Sequence, residues 1–383
     1  MREGFPGGFD PNALPSPCYV ISLTKLQGNA EVLADVRRRT GAKILLALKA
    51  YGAFSTFPLL RPYLDGVCAS GLHEAILGRE EFGGLVHTFS PAFKDEEFKA
   101  ILDRSDHISF NSINQWRAFR RRVEESNVSP GFRVNPEQSS SPSPLYDPCA
   151  PGSRLGIRAN EIEAGDLAGI HGVSFHALCQ QDSAALEKVL AAVEEGFGQW
   201  LGDLKWMNLG GGHHITRDDY DVGHLCELIA RVRDRYDVQV FLEPGEAVAL
   251  DAGWLVATVI DIIDNDGPIA ILDASATAHM PDVLEMPYVP EIVGATRGDS
   301  EGWTARLGGP SCLAGDQIGT YTFAEPLIPG DRICFTDMAH YTMVKNTTFN
   351  GIPLPAIATW DENERELEIV REFFYEDYKS RLS

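Results

Sequence analysis

Between residues 20 and 245 one pattern recurs: a short apolar run, a longer amphipathic stretch, then another short apolar run. The runs are Ile44–Leu48, Gly66–Ala69, Val86–Phe89, Ile108–Phe110, Phe132–Val134, Val173–Phe175, Trp206–Leu209 and Val238–Leu242. Several are apolar throughout, as strands of a parallel sheet buried on both faces must be. Helical segments fall between them. Ser22 stands where a helix N-cap would, Leu23, Leu26, Ala30 and Leu33 then share one face, and Gly41 is a stop. Gly71–Phe82, ended by Gly83-Gly84, reads the same way, as do Ser112 to Glu125, Ser183–Gly196 and Tyr220–Arg235. Eight strands alternating with helices over about 220 residues predict an α/β chain with a TIM-like (β/α)8 barrel. A doubly wound open sheet has the same alternation.

Gln138–Ser153, rich in Ser and Pro, reads as a surface loop between the fifth and sixth strands. After Gly245 the rhythm changes. Trp254–Ile263, Ile269–Asp273, Arg332–Thr336 and Ala356–Trp360 look like strands joined by Gly/Pro turns, without regular helices between them. The division expected is a barrel over 21–250 and a mostly β domain made of 251–383 and the N-terminal segment 1–20.

Composition excludes more than it assigns. With 33 Lys plus Arg against 55 Asp plus Glu, the formal charge is -22, far from the basic footprint that nucleic-acid binding needs. An acidic surface suits a cationic small substrate, although solubility alone accounts for it equally well. Met1 to Val20 holds Pro6, Pro11, Pro15 and Pro17 and no apolar run, so it does not read as a secretory signal. No stretch reads as a membrane span, which leaves the cytoplasm as the expected compartment. The 7 cysteines nowhere form a CxxC pair, so neither a disulfide framework nor a metal site is expected.

Chemistry gathers at the strand ends. In order they carry Lys49, Ser70, Ser90, Asn111, Asn135, His176, Gly210-Gly211-Gly212 and Glu243, and the C-terminal mouth is where barrel enzymes place their catalytic groups. Lys49 leaves the apolar run ILLAL directly, and a desolvated lysine can act as a nucleophile toward carbonyls; the plainer alternative is a lysine reaching solvent. Gly210–Gly212 after a strand can let backbone N–H groups approach a phosphate, or can be an ordinary turn. Glu243, before Pro244 and Gly245, can pair with a protonated heterocyclic nitrogen or be solvated. His176 can stack on an aromatic ring or satisfy a core hydrogen bond. Cys312, in GGPSCLAGD, sits on a loop where charged neighbours can tune a thiol as an acid, and DMAHYTMVKNTTFNG (337–351) reads as a segment packed against a site.

The motifs LLALKAYG, CASGLHEAILG, SFHALCQQ, NLGGGHHIT, FLEPGEA, DASATAHMPDVLEMPY, GGPSCLAGD and DMAHYTMVKNTTFNG, taken in order, resemble the fold-type III decarboxylases that depend on pyridoxal 5'-phosphate. These have an alanine-racemase-like barrel and a β domain. Within the group, HALCQQ, GGGHHIT, HMPDVLEMPY and CLAGD are most similar to the branch acting on carboxynorspermidine and carboxyspermidine. The resemblance runs from about residue 15 to residue 355. It implies that Lys49 holds the cofactor and His176 stacks on its ring. It also implies that Gly210, Gly211, Gly212, Gly245 and the backbone of Glu246 cradle the phosphate with Tyr341 nearby, and that Glu243 keeps the ring nitrogen protonated. Cys312 would come from the partner subunit of a head-to-tail homodimer and protonate Cα. Relatives acting on ornithine place a phosphate-binding serine where this chain has Cys179, so that contact is not carried over. For a carboxylated polyamine, whose ammonium groups need acidic partners, Asp316, Glu285 and His279 are the candidates. Rival readings are decarboxylation of diaminopimelate, ornithine or arginine, an amino-acid racemase, a PLP-carrier protein, and a phosphate-binding barrel enzyme without PLP.

Overall fold

A computed structural model describes residues 8–138, 141 and 144–383. The first seven residues of the N-terminal segment, and positions 139, 140, 142 and 143 of the Ser/Pro-rich loop, lie outside the described residues. The chain separates into two compact units, one of residues 28–248 and one combining Ala249–Ser383 with the chain before Gly28.

In chain order the strands are β1 (Cys18–Ser22), β2 (Lys43–Ala47), β3 (Gly66–Ala69), β4 (Leu85–Ser90), β5 (His107–Phe110), β6 (Ser129–Arg133), β7 (Gly172–Ser174), β8 (Trp206–Asn208) and β9 (Gln239–Leu242). They continue as β10 (Gly253–Asp264), β11 (Pro268–Leu272), β12 (Ala295–Arg297), β13 (Trp303–Gly308), β14 (Gln317–Phe323), β15 (Arg332–Thr336), β16 (Ala356–Asp361) and β17 (Glu366–Arg371). Strands β2 to β9 are all parallel and form a closed barrel. Closure is made by β9 pairing with β2, Lys43 opposite Phe241 and Ile44 opposite Leu242, which removes the open-sheet alternative.

The helices begin where the sequence has caps. Ser22 Oγ accepts from the Lys25 N–H at 3.1 Å, and the helix Leu23–Thr40 ends at Gly41, whose φ of 71° only glycine adopts without strain. Ser112 Oγ accepts from Gln115 N–H at 3.3 Å and opens Ile113–Glu124, which buries Trp116, Phe119 and Val123 on one face. Asp182 and Asp221 cap Ser183–Leu201 and Val222–Tyr236 in the same manner. The expected single helix over 71–82 is instead an α-helix, Leu72–Leu77, followed by a wider π turn, Gly78–Phe82. There a Cβ on Gly78 would lie 2.3 Å from Val67 Cγ2, so this stretch presses directly onto β3.

Inside the barrel, Leu45, Cys68, Trp206 and Phe241 form one buried cluster. The indole of Trp206 fits because Gly172 faces it; a Cβ there would stand 2.0 Å from the ring. Its Nε1 donates to Ser129 Oγ at 2.9 Å.

The second unit is a nine-stranded sheet in the order β12-β14-β13-β11-β10-β1-β16-β17, with β15 paired to β10. The N-terminal strand β1 is thus central, antiparallel to β10 and parallel to β16. The sheet buries Leu255, Ala257, Leu272, Leu307, Tyr321 and Phe335 on one side of its core. Strands β12, β13, β14 and β17 were not anticipated. Their residues are mixed polar and apolar, because an antiparallel sheet can leave one face in water.

Candidate active site

Of the polar strand-end residues, Lys49, Ser70, His176 and Glu243 come to one place, whereas Ser90, Asn111 and Asn135 do not line it. Lys49, Cys68, Ser70, His87, Arg133, Ser174, His176 and Glu243, with Phe89 and Phe175, line one pocket. Lys49 lies just beyond β2, His176 just beyond β7 and Glu243 directly after β9. Three residues far apart in sequence therefore meet because parallel strands all end at the same mouth.

Lys49 Nζ makes no hydrogen bond or ion pair among the described residues. Lys49 is exposed, yet partial desolvation by the pocket wall, reinforced by the positive charge of Arg133, shifts its amine below the ordinary lysine range. Arg133 is itself buried, which lowers its pKa to about 10, and its guanidinium lies 4.4 Å from the Phe89 ring centre. Burial also holds His176 well below the usual imidazole range, with Lys49 and Arg133 adding to the effect. Gly211 N–H donates to His176 Nδ1 at 3.1 Å, which places the imidazole proton on Nε2. Burial, then Glu243, raises the Cys68 thiol well above its ordinary value, so it is a protonated wall of the pocket and not a thiolate.

The glycine run after β8 could not be anything else. Gly210 has a φ of 73° and a Cβ on it would lie 2.2 Å from the Phe175 carbonyl oxygen; on Gly211 it would meet the Glu243 carbonyl oxygen at 2.1 Å, and on Gly212 that of Leu178 at 2.0 Å. Gly245 is closed in too, its Cβ position 2.6 Å from Ala50 Cβ. Among the described residues the N–H groups of Gly212 and Gly245 have no acceptor. Bare donors on a loop cleared of side chains suit an anion such as a phosphate. Glu246, beside them, begins the turn Glu246–Ala249; its carboxylate accepts from Gln180 Nε2 at 3.0 Å and lies 3.2 Å from His214 Nε2. An unpaired amine, an imidazole, a carboxylate and an anion-ready loop on one barrel end are the set of groups that pyridoxal phosphate needs, so these residues fit that cofactor.

The remaining candidates belong to the sheet unit. Cys312 is exposed, and its backbone N–H donates to Asn350 Oδ1 at 2.8 Å. Tyr341 opens the short helix Tyr341–Val344. Asp316 is only 4% exposed and accepts from Ser275 Oγ at 2.8 Å and from the backbone N–H groups of Ala276 at 2.7 Å, Thr277 at 3.3 Å and Ser311 at 3.2 Å. It ties the Cys312 loop to the helix Ala276–His279. His279 is fully buried, accepts from the Ser275 N–H at 3.2 Å through Nδ1 and lies 3.1 Å from the Pro353 carbonyl oxygen through Nε2; burial lowers its pKa to about 4. Glu285 forms an ion pair with Lys345, which also pairs with Asp282.

Attention to residues after the strands missed Cys68, His87, Arg133 and Asn208, which lie within strands and point inward. A signal existed: His87 in VHTFS and Arg133 in FRVNP are polar interruptions of runs that a buried parallel strand should keep apolar.

Comparison with known proteins agrees with this geometry. Residues 18–339 match the model of the pyridoxal-dependent decarboxylases, C-terminal sheet domain. A carboxynorspermidine/carboxyspermidine decarboxylase of Campylobacter jejuni is 46% identical over 96% of this chain and 98% of its own. A carboxyaminopropylagmatine decarboxylase of Synechocystis is 44% identical over 97% of this chain and 96% of its own. The crystal structure of the Campylobacter jejuni carboxynorspermidine decarboxylase in complex with norspermidine superposes with a TM-score of 0.89, at 45% identity over 96% of this chain and 100% of that one. The chain belongs to the pyridoxal-dependent decarboxylases.

Proposed function

We propose that this enzyme removes CO2 from carboxynorspermidine, and from carboxyspermidine, to give norspermidine and spermidine in polyamine biosynthesis. The observation that carries the reading is the near full-length match to the Campylobacter jejuni enzyme, at 46% identity. The two substrates differ by one methylene, which an apolar pocket separates by only about 1–3 kcal/mol, so one enzyme accepts both. The match at 44% to an enzyme of carboxyaminopropylagmatine supports a second reading, in which the distal group is a guanidinium. Formal charge of -22 suits either cation.

Bound pyridoxal phosphate supplies an electron sink for the pair left on Cα as CO2 departs. The chain's own residues do the rest. Lys49, whose amine is shifted below the ordinary lysine range, would hold the cofactor through its Nζ. His176 would stack on the cofactor's ring, and Glu243 would pair with its ring nitrogen. The N–H groups of Gly212, Gly245 and Glu246, with Tyr341, would hold the phosphate, while Gly210 and Gly211, whose N–H groups bond Asn208 and His176, keep the loop clear of side chains. Cys312, supplied by the partner subunit of a head-to-tail dimer, delivers the proton that Cα gains. Asp316, Glu285 and His279 bear on the distal amines in different ways. Asp316 and His279 have their polar atoms engaged within the chain, so they shape the loops, whereas Glu285 can exchange Lys345 for a substrate ammonium. The catalytic unit is the barrel of 21–250 with the β domain of 1–20 and 251–383, working in the cytoplasm.

The test is release of CO2 by the purified protein from carboxynorspermidine, carboxyspermidine and carboxyaminopropylagmatine in parallel. Turnover of the first two ahead of the third supports the reading. Preference for the third replaces the substrate, and turnover of none but diaminopimelate or ornithine overturns it.

A further inference from the structure

The pocket's carboxylate does not stand alone. Asn208 ends β8 and is completely buried. Gly210 N–H lies 2.8 Å from Asn208 Oδ1, and since a backbone N–H can only donate, that atom is the amide oxygen. The amide nitrogen is therefore the atom 2.5 Å from Glu243 Oε1 and 3.1 Å from His87 Nδ1. Both amide hydrogens are thus used, one on the carboxylate and one on the imidazole. Turning the amide over would set its oxygen against a carboxylate oxygen and a ring lone pair, and its NH2 against the Gly210 N–H.

This arrangement dictates the state of His87. Its Nδ1 accepts, so the proton sits on Nε2, 2.9 Å from Ser109 Oγ, which in turn accepts from Ser174 Oγ at 3.0 Å. His87 lies 3.7 Å from Glu243, a spacing at which a charged imidazole would form an ion pair. Burial decides otherwise, lowering its pKa to about 3 and leaving a neutral ring of fixed tautomer. Trp206 packs edge-on against that ring, with centroids 5.1 Å apart.

We infer that Asn208, oriented by His87 and by Gly210, is a positioning residue that fixes the Glu243 carboxylate as an acceptor in the pocket and couples it to the glycine loop. The inference rests on the reading of Glu243 as partner of the cofactor's ring nitrogen. An amide suits this task because it donates without adding charge. An aspartate at the same place would put two carboxyl groups within hydrogen-bond distance, and such a pair shares a proton. Asn208 also spans both ends of the cofactor: one side chain bonds the loop cleared for the phosphate and the carboxylate assigned to the ring.

The experiment uses holoenzyme reconstituted with pyridoxal phosphate isotope-labelled at the ring nitrogen, whose magnetic resonance shift reports the proton there. Asn208→Asp should move that resonance toward the unprotonated position and lower kcat roughly 10- to 100-fold, with KM changed less than about threefold. His87→Leu should reproduce part of the loss, and His87→Gln, whose side-chain carbonyl can again accept from Asn208, should recover it. Glu243→Gln separates the two levels. If it shifts the ring nitrogen and Asn208→Asp does not, the inference fails while the reading of Glu243 stands. If neither shifts it, that reading falls and the inference with it. Equal behaviour of the His87 Leu and Gln variants reduces His87 to packing and overturns its part. Should the variants not fold, the unsubstituted holoenzyme still decides: His87 must carry its proton on Nε2, and a proton on Nδ1 contradicts the network.

Discussion

The barrel pocket and the sheet unit treat their ionisable side chains in opposite ways. In the sheet unit, Asp316 receives four hydrogen bonds and His279 is engaged at both ring nitrogens, so each is a structural fastener. In the barrel pocket Lys49 is exposed with no hydrogen-bond or ion-pair partner for its Nζ among the described residues, beside a buried Arg133 and a neutral His176. A cation held beside another cation is disfavoured, and that arrangement makes sense where the group reacts. Burial alone does not mark a site; an amine left without a partner at the barrel mouth does.

The sharpest way to break this comparison is to remove one member from each side. Lys49→Ala should lower CO2 release by at least roughly 1,000-fold and abolish the visible absorbance of the lysine-bound cofactor, while the apoprotein unfolds at the same or higher temperature. A large loss of apoprotein stability would make Lys49 a structural residue. Asp316→Ala should behave in reverse. It strands buried donors, so it should cost about 3 kcal/mol in urea unfolding. A loss near zero would return Asp316 to the substrate.

Acid should separate the two units next. His87, His107 and His213 in the barrel are held by burial to about 3, 4 and 4, whereas the sheet unit contributes His279 at about 4. Each is neutral when folded and takes up a proton on unfolding once the pH falls below its ordinary value. The unfolded chain then binds more protons, and stability falls by up to about 1.4 kcal/mol per pH unit per histidine. Hydrogen exchange followed from pH ~7 to pH ~5 should therefore show protection lost faster in β4, β5 and β8 than in β10 and β15. Uniform loss would mean that the histidines are not held neutral.

The smallest effect is expected at Glu285, whose ion pair with Lys345 is more than half exposed on the Glu285 side. Glu285→Ala should change stability by less than about 1 kcal/mol, because exposed pairs gain little over hydration. Its value is in kinetics: a raised KM for the carboxylated triamine with unchanged stability would mark Glu285 as a substrate contact, and an unchanged KM would remove it.

Residue order alone determined the eight-strand alternation, the capped helices and the residues delivered to the barrel mouth. Parallel strands buried on both faces must be apolar runs, and whatever follows them must emerge at one end; Lys49, His176, Gly210–Gly212 and Glu243 were legible for that reason. Closure was not, since a doubly wound sheet has the same alternation and only the pairing of β9 with β2 decides it. Nor were the roles of Asn208 and His87. Which strand residues face inward depends on register around the closed ring, and their partners lie 35 and 121 positions away in the chain. The same limit applied to Asp316 and His279: their residue types suggested a polyamine site, and the backbone folded around them engaged their polar atoms instead. Sequence sets which side chains are available at each strand end, and tertiary structure decides which of them are left unsatisfied and so able to react.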